Sequence, residues 1–122
     1  MYKQDNLIQK KSFGFAVKII KMCKVLVKDN DYVISKQLLK SGTSIGANVE
    51  EALAGQSKKD FIAKMSIASK EARETKYWLR LLNESKVADI GISELLKEVE
   101  VICNLLTAIV KTSQNNLLSD KL

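Results

Sequence analysis

The stretch Gly42-Thr43-Ser44-Ile45-Gly46 satisfies G-x-S-x-G, the spacing that lifts a nucleophilic serine onto a sharp strand-to-helix turn in serine hydrolases. That chemistry needs a base to take the hydroxyl proton, and the chain contains no histidine. No strand pattern leads into the stretch either, so the hydrolase reading is rejected. A phosphate loop fails on the same ground, because G-x-x-x-x-G-K-[ST] is not completed. A steric role remains. Gly42 and Gly46 stand one helical turn apart beside Ser41, Ala47 and Asn48, and another helix is expected to approach them closely. Each glycine costs a helix about 1 kcal/mol, which close packing would offset.

The other reactive groups are few. Cys23 and Cys103 lie in apolar stripes with no second thiol or imidazole at ligand spacing, and they read as plain buried thiols. Glu71 and Glu74 could share a metal in principle, but no histidine or aspartate accompanies them at ligand spacing. The sequence therefore implies no metal, no cofactor and no enzyme.

Charge is the more informative feature. The chain carries 20 Lys+Arg against 14 Asp+Glu, a net +6. On a helical wheel Lys10, Lys11, Lys18, Lys21, Lys24 and Lys28 fall within an arc of about 140° that holds no acid. Further along, Lys58, Lys59, Lys64, Lys70, Arg73, Lys76 and Arg80 are diluted by Asp60, Glu71 and Glu74, and Glu94, Glu98 and Glu100 make the last segment acidic. Two readings stand: a solvated face that only confers solubility, or a surface for the phosphates of RNA or DNA. In the second, Lys10, Lys11, Lys18, Lys21, Lys24, Lys28, Lys58, Lys59, Arg73, Lys76 and Arg80 are the candidate contacts. Aromatic residues do not interleave with the lysines, so such contacts would be independent of base sequence.

The elements that must position these residues are helices. At 122 residues the chain is sized for one domain, residues 1–122, able to enclose a core without disulfides or metal. It has no proline and only 5 glycines, and no alternating strand pattern occurs. The first helix is expected over about residues 12–28, on Phe13, Ala16, Ile20, Cys23 and Val27, flanked by Phe15, Ile19, Met22 and Leu26, with Asp29-Asn30-Asp31 ending it. The second spans about 32–53 on Ile34, Leu38, Ser41, Ile45, Val49 and Ala52, and Ala54-Gly55-Gln56 breaks it. In the third, about 58–84, Ser57 and Asp60 resemble a capping box, and Phe61, Met65, Ala68, Ala72, Thr75, Leu79 and Leu82 form a heptad seam. The fourth, about 94–113, has Ser93 as N-cap and Leu95, Val99, Ile102, Leu106 and Ile109 as its stripe, with Leu96, Cys103 and Val110 as a parallel one, and frays near Gln114-Asn115-Asn116. Short connections predict an all-α, up-down-up-down antiparallel four-helix bundle. No apolar run approaches the roughly 20 residues that cross a bilayer, so no membrane is expected. Met1-Tyr2-Lys3-Gln4-Asp5 lacks a signal peptide's apolar block, which implies a cytoplasmic location.

The run from Lys36 through Gly42-Thr43-Ser44-Ile45-Gly46-Ala47-Asn48-Val49-Glu50-Glu51 to Ala52, then Ser57-Lys58-Lys59-Asp60-Phe61 and Lys70-Glu71-Ala72-Arg73-Glu74-Thr75-Lys76-Tyr77-Trp78-Leu79, resembles the four-helix-bundle proteins of the 23S rRNA intervening-sequence family. The resemblance spans essentially the whole chain. It implies relatives encoded within insertions in bacterial large-subunit rRNA genes, and similarity to the basic accessory proteins of diversity-generating retroelements, which bind nucleic acid and a reverse transcriptase. It also implies homopentameric barrels and no catalytic activity.

Antiparallel pairing about a loop centred near residue 56 places Ser41 near Glu71, Gln37 near Thr75 and Ser44 beside Ala68. Ser41, Ser44, Asn48, Glu71 and Glu74 then become a candidate polar network that fixes register or receives a partner. Were the Glu71 carboxylate buried and hydrogen-bonded there, its loss would cost about 1–3 kcal/mol. Trp78 reads as a packing anchor rather than a base-stacking platform. Helix 1 is apolar over about half its circumference, more than a monomeric bundle can bury, so a homo-oligomer is expected. The pentamer follows from the resemblance alone.

Overall fold

The structure, a computed structural model, describes residues 3–28, 32–85 and 91–120. Among them there is no strand, and four helices run in order: α1 Lys3–Lys28, α2 Tyr32–Leu53, α3 Lys58–Ser85 and α4 Ile92–Asp120. The four form a bundle in which each helix packs on its neighbours in the chain and α4 closes back onto α1. Contacts run in opposite numerical senses along neighbours. Gln9 bonds Glu50 while Cys23 bonds Ser35, and Lys58 ion-pairs with Asp120 while Lys76 meets Glu100.

The core follows heptad arithmetic. In α3, Met65, Ala68, Ala72, Thr75, Leu79 and Leu82 are buried, with Phe61 packed against them. In α2 the buried line is Leu38, Ser41, Ile45, Val49 and Ala52, joined by Ser35 and Gly42. In α4 it is Leu95, Val99, Ile102, Leu106 and Ile109, joined by Ile92 and Cys103. Burying each large aliphatic or aromatic side chain stabilises the fold by about 1.5–3 kcal/mol, so these seams dominate its energetics.

Helix α1 departs from the sequence expectation in both length and face. It begins at Lys3, well before Ser12, and its buried line is Ile8, Ser12, Phe15, Ile19, Met22 and Leu26, with Cys23 beside it. Phe15 is 2% exposed, whereas Phe13 is 69% and Ile20 40% exposed. Both lines recur four and three apart. Only the inner one continues N-terminally through an apolar residue, since Ile8 precedes Ser12 while Gln9 and Asn6 precede Phe13. Helix α4 runs on through Gln114-Asn115-Asn116 to Asp120, lying along the first turn of α3, where Lys58 ion-pairs with Asp120.

The helix ends are locally determined. Ser57 Oγ accepts a hydrogen bond from the Asp60 amide at 3.0 Å, which is the serine half of the capping box. The Gly55 amide donates to the Ala52 carbonyl at 3.0 Å and closes α2. Ser93 is not the cap of α4 but lies inside its first turn. The helix starts from Gly91, whose φ of 75° favours glycine and whose carbonyl accepts from the Leu95 amide at 3.2 Å. The Asp29-Asn30-Asp31 stop signal lies outside the described residues.

Candidate nucleic-acid interface

The outward half of α1 is divided lengthwise. Toward α2 stands an apolar strip of Phe13, Ile20 and Val27, all exposed, while the exposed Val17 lies among the lysines. Interpolating between the Gln9–Glu50 and Cys23–Ser35 contacts sets Ile20 alongside the exposed Leu39 of α2. Toward α4 stands the lysine face. Lys10, Lys11, Lys18, Lys21, Lys24 and Lys28 are all exposed, each with its ammonium on the solvent side.

Ion pairing sorts these cations. Lys18 pairs with Glu98 of α4, Lys58 with Asp120 and Lys76 with Glu100. Lys10, Lys11, Lys21, Lys24 and Lys28 make no ion pair among the described residues, and neither do Lys59, Arg73 and Arg80. Exposed ion pairs contribute about 0–1 kcal/mol, so a phosphate could displace Lys18 from Glu98 at little cost. The unpaired lysines of α1 carry their charge directly into solvent.

The polar residues between α2 and α3 are arranged differently from the network expected. The Ser41 and Thr75 hydroxyls hydrogen-bond at 2.9 Å, both side chains buried, and Thr75 Oγ1 also donates to the Glu71 carbonyl at 2.7 Å. Ser41 thus meets Thr75, one turn beyond Glu71. The other members turn back on their own helix: Ser44 Oγ donates to the Lys40 carbonyl at 2.6 Å and Asn48 Nδ2 to the Ser44 carbonyl at 2.8 Å. Glu71 is half-buried, and no hydrogen bond to its carboxylate is seen among the described residues. Burial, followed by the neighbouring Glu74 charge, pushes its pKa above the usual carboxylate value against the pull of Lys40 and Lys70. Glu74 is exposed. The sequence signal for Thr75 was its place in the α3 seam, facing the seam serine of α2.

Gly42 and Gly46 face α1 of the same chain. A Cβ on Gly42 would stand 2.9 Å from Ile19 Cγ2, whereas one on Gly46 would meet Ser12 at an ordinary 3.5 Å. The small-residue surface is therefore used inside the bundle.

Both thiols are buried. Burial raises the pKa of each, against a hydrogen bond with Ser35 at Cys23, and with help from the Glu100 charge at Cys103, so neither is an activated nucleophile. Trp78 packs against the core, its ring edge-on to Tyr77 at 5.3 Å, and its buried indole N–H has no hydrogen-bond partner among the described residues. Among the described residues no group of three His, Cys, Asp or Glu could hold a metal ion, and no helix is long and apolar enough to cross a membrane.

Comparison with known proteins agrees with this architecture. A crystal structure of a protein of unknown function from the S23 ribosomal protein family of Bacteroides thetaiotaomicron superposes with a TM-score of 0.85 at 44% identity, over 88% of this chain and 98% of that one. Neither that description nor the family's names a catalytic activity. Comparison with curated proteins gives no match. The family model for 23S rRNA-intervening sequence proteins matches residues 4–108, which takes in the lysine face of α1, the Ser41–Thr75 contact and most of α4. With that match over most of its length, the chain belongs to the 23S rRNA-intervening sequence protein family.

Proposed function

We propose that this is a non-enzymatic, cytoplasmic nucleic-acid-binding protein that works as a homo-oligomer of up-down-up-down bundles. The observation that carries the reading is the group Lys21, Lys24 and Lys28, exposed, unpaired among the described residues and sharing an arc of α1 with no acid. Such a surface meets phosphates through charge and takes no account of base identity. RNA is the preferred partner because of the rRNA-gene association of the family. Oligomerisation is supported by the strip of Phe13, Ile20 and Val27, which a neighbouring copy would cover, and the ring of five comes from the resemblance. A ring would repeat the lysine face around one rigid body and add avidity to weak contacts.

That same apolar strip favours a second reading, an oligomeric scaffold whose essential partner is another protein, such as a reverse transcriptase. Ionic strength separates the two. Titration of a fluorescently labelled structured RNA at rising salt should show an affinity that falls steeply, with a log–log slope of about −0.7 to −0.9 per phosphate engaged. Salt-insensitive association, or no association at low salt, would favour the scaffold.

A further inference from the structure

Between α1 and α4 lies a cleft of about 360 Å³ lined by Lys10, Lys11, Gly14, Phe15 and Lys18 on one wall and Glu94, Lys97, Glu98, Val101 and Ile102 on the other. Its size falls at the lower end of the range for small-molecule sites. Its chemistry is graded along its length. At one end stand the ammoniums of Lys10 and Lys11, unpaired among the described residues. In the middle the walls are apolar, with Val101 48% exposed. At the other end Glu94 and Glu98 offer carboxylate acceptors, each in an exposed ion pair with one lysine, Lys97 and Lys18.

Gly14 is the second observation. It lies mid-helix, where glycine costs about 1 kcal/mol relative to alanine. Unlike Gly42 it has no close neighbour to justify it: among the described residues nothing beyond its own helix backbone stands within 4 Å of where its Cβ would be. Its missing side chain keeps the cleft open and bares the α1 backbone to it.

We propose that this cleft seats a single nucleotide of the bound nucleic acid. Lys10 and Lys11 take its phosphate, the surface formed by Gly14 and Val101 takes the sugar and one face of the base, and Glu94 accepts a hydrogen bond from an N–H on the far edge of the base. The proposal rests on the nucleic-acid reading and adds to it a site with shape, where the α1 face supplies charge alone. An isolated phosphate would gain only the lysine end, and an uncharged nucleoside only the floor and the carboxylate end.

The test is calorimetric titration of the full chain at low salt with adenosine and uridine 5′-monophosphates, their 2′-deoxy forms, inorganic phosphate and free adenosine. The nucleotides should bind at least tenfold more tightly than phosphate or adenosine, and the deoxy forms should bind like the ribo forms, since no cleft residue is assigned to the 2′-hydroxyl. Gly14→Leu, which fills the cleft, and Val101→Glu, on the opposite wall, should each weaken nucleotide binding at least tenfold, while Gly14→Ala, with open space around it, confirms by thermal melting that α1 tolerates a side chain there. Phosphate binding as tightly as the nucleotides, or nucleotide affinity unchanged in both filled variants, overturns the proposal. The wider reading is separable. If no nucleotide binds but RNA binds normally, the cleft falls and the lysine face stands. If nucleotides bind in the cleft but RNA does not bind at low salt, the nucleic-acid reading falls and the cleft is a site for free nucleotide rather than for part of a bound strand.

Discussion

At the scale of single residues, the Ser41–Thr75 pair is the polar feature that sets α2 against α3. Its two hydroxyls, 2.9 Å apart and closed off from solvent, form a short chain where two seams meet, Ser41 donating to Thr75 and Thr75 to the Glu71 carbonyl. A double-mutant cycle of Ser41→Ala and Thr75→Val followed by chemical denaturation should return a coupling of about 0.5–1.5 kcal/mol, and additive effects would show that the contact carries no energy. Glu71 behaves in the opposite way. Its folded-state pKa is raised, so the fold favours the protonated form, and its contribution to stability is greatest at low pH and lost as pH rises through that raised value. Glu71→Gln should therefore be neutral to stabilising at neutral pH, with the gain vanishing below the ordinary carboxylate range. A substantial loss of stability at neutral pH would restore the hydrogen-bonded network that the sequence suggested.

At the scale of the helix, the two glycines of α2 should part company. Gly42→Ala drives a methyl to 2.9 Å from the buried Ile19 and should destabilise the α1–α2 contact by about 1–3 kcal/mol. Gly46→Ala makes only ordinary contact with Ser12 at 3.5 Å and should stabilise by about 0.5–1 kcal/mol through helix propensity. Thermal melts that move in the same direction for both would refute the assignment. The sequence was legible wherever one apolar stripe dominates a helix: the α3 seam read correctly, and in α4 the main stripe of Leu95, Val99, Ile102, Leu106 and Ile109 is buried while the parallel stripe contributes Cys103 to the core and packs Leu96 and Val110 partly buried against it. In α1 two stripes with the same spacing coexist, and the choice between Phe15 and Phe13 depends on Ile8, one turn beyond the segment from which the helix was read. The pairing register slipped by one turn for a related reason. The Gly55 turn and the Ser57 cap shift the centre of the α2–α3 connection toward the start of α3, which exchanges Glu71 for Thr75 as the partner of Ser41. The α1–α4 cleft was out of reach of periodicity altogether, because it arises from where two helices fail to fill the space between them.

For the whole molecule, the division of α1 into an apolar strip and a lysine face is the organising feature. The strip should be the contact between copies. Light scattering after size exclusion should give a mass well above the 13.6 kDa of one chain, and Ile20→Glu should lower it without unfolding the bundle, since Ile20 is outside the core. A monomer mass for the parent chain would defeat the oligomer. The lysine face should be the contact with RNA, and its charge is the central claim. The direct measurement is RNA affinity at low salt for the parent chain and for the Lys21→Glu, Lys24→Glu, Lys28→Glu variant. All three residues are solvent-facing and outside every ion pair among the described residues, so the variant should fold normally. The account predicts at least a tenfold loss of affinity and a shallower salt dependence. Equal affinity and equal salt slope for the two proteins would contradict it.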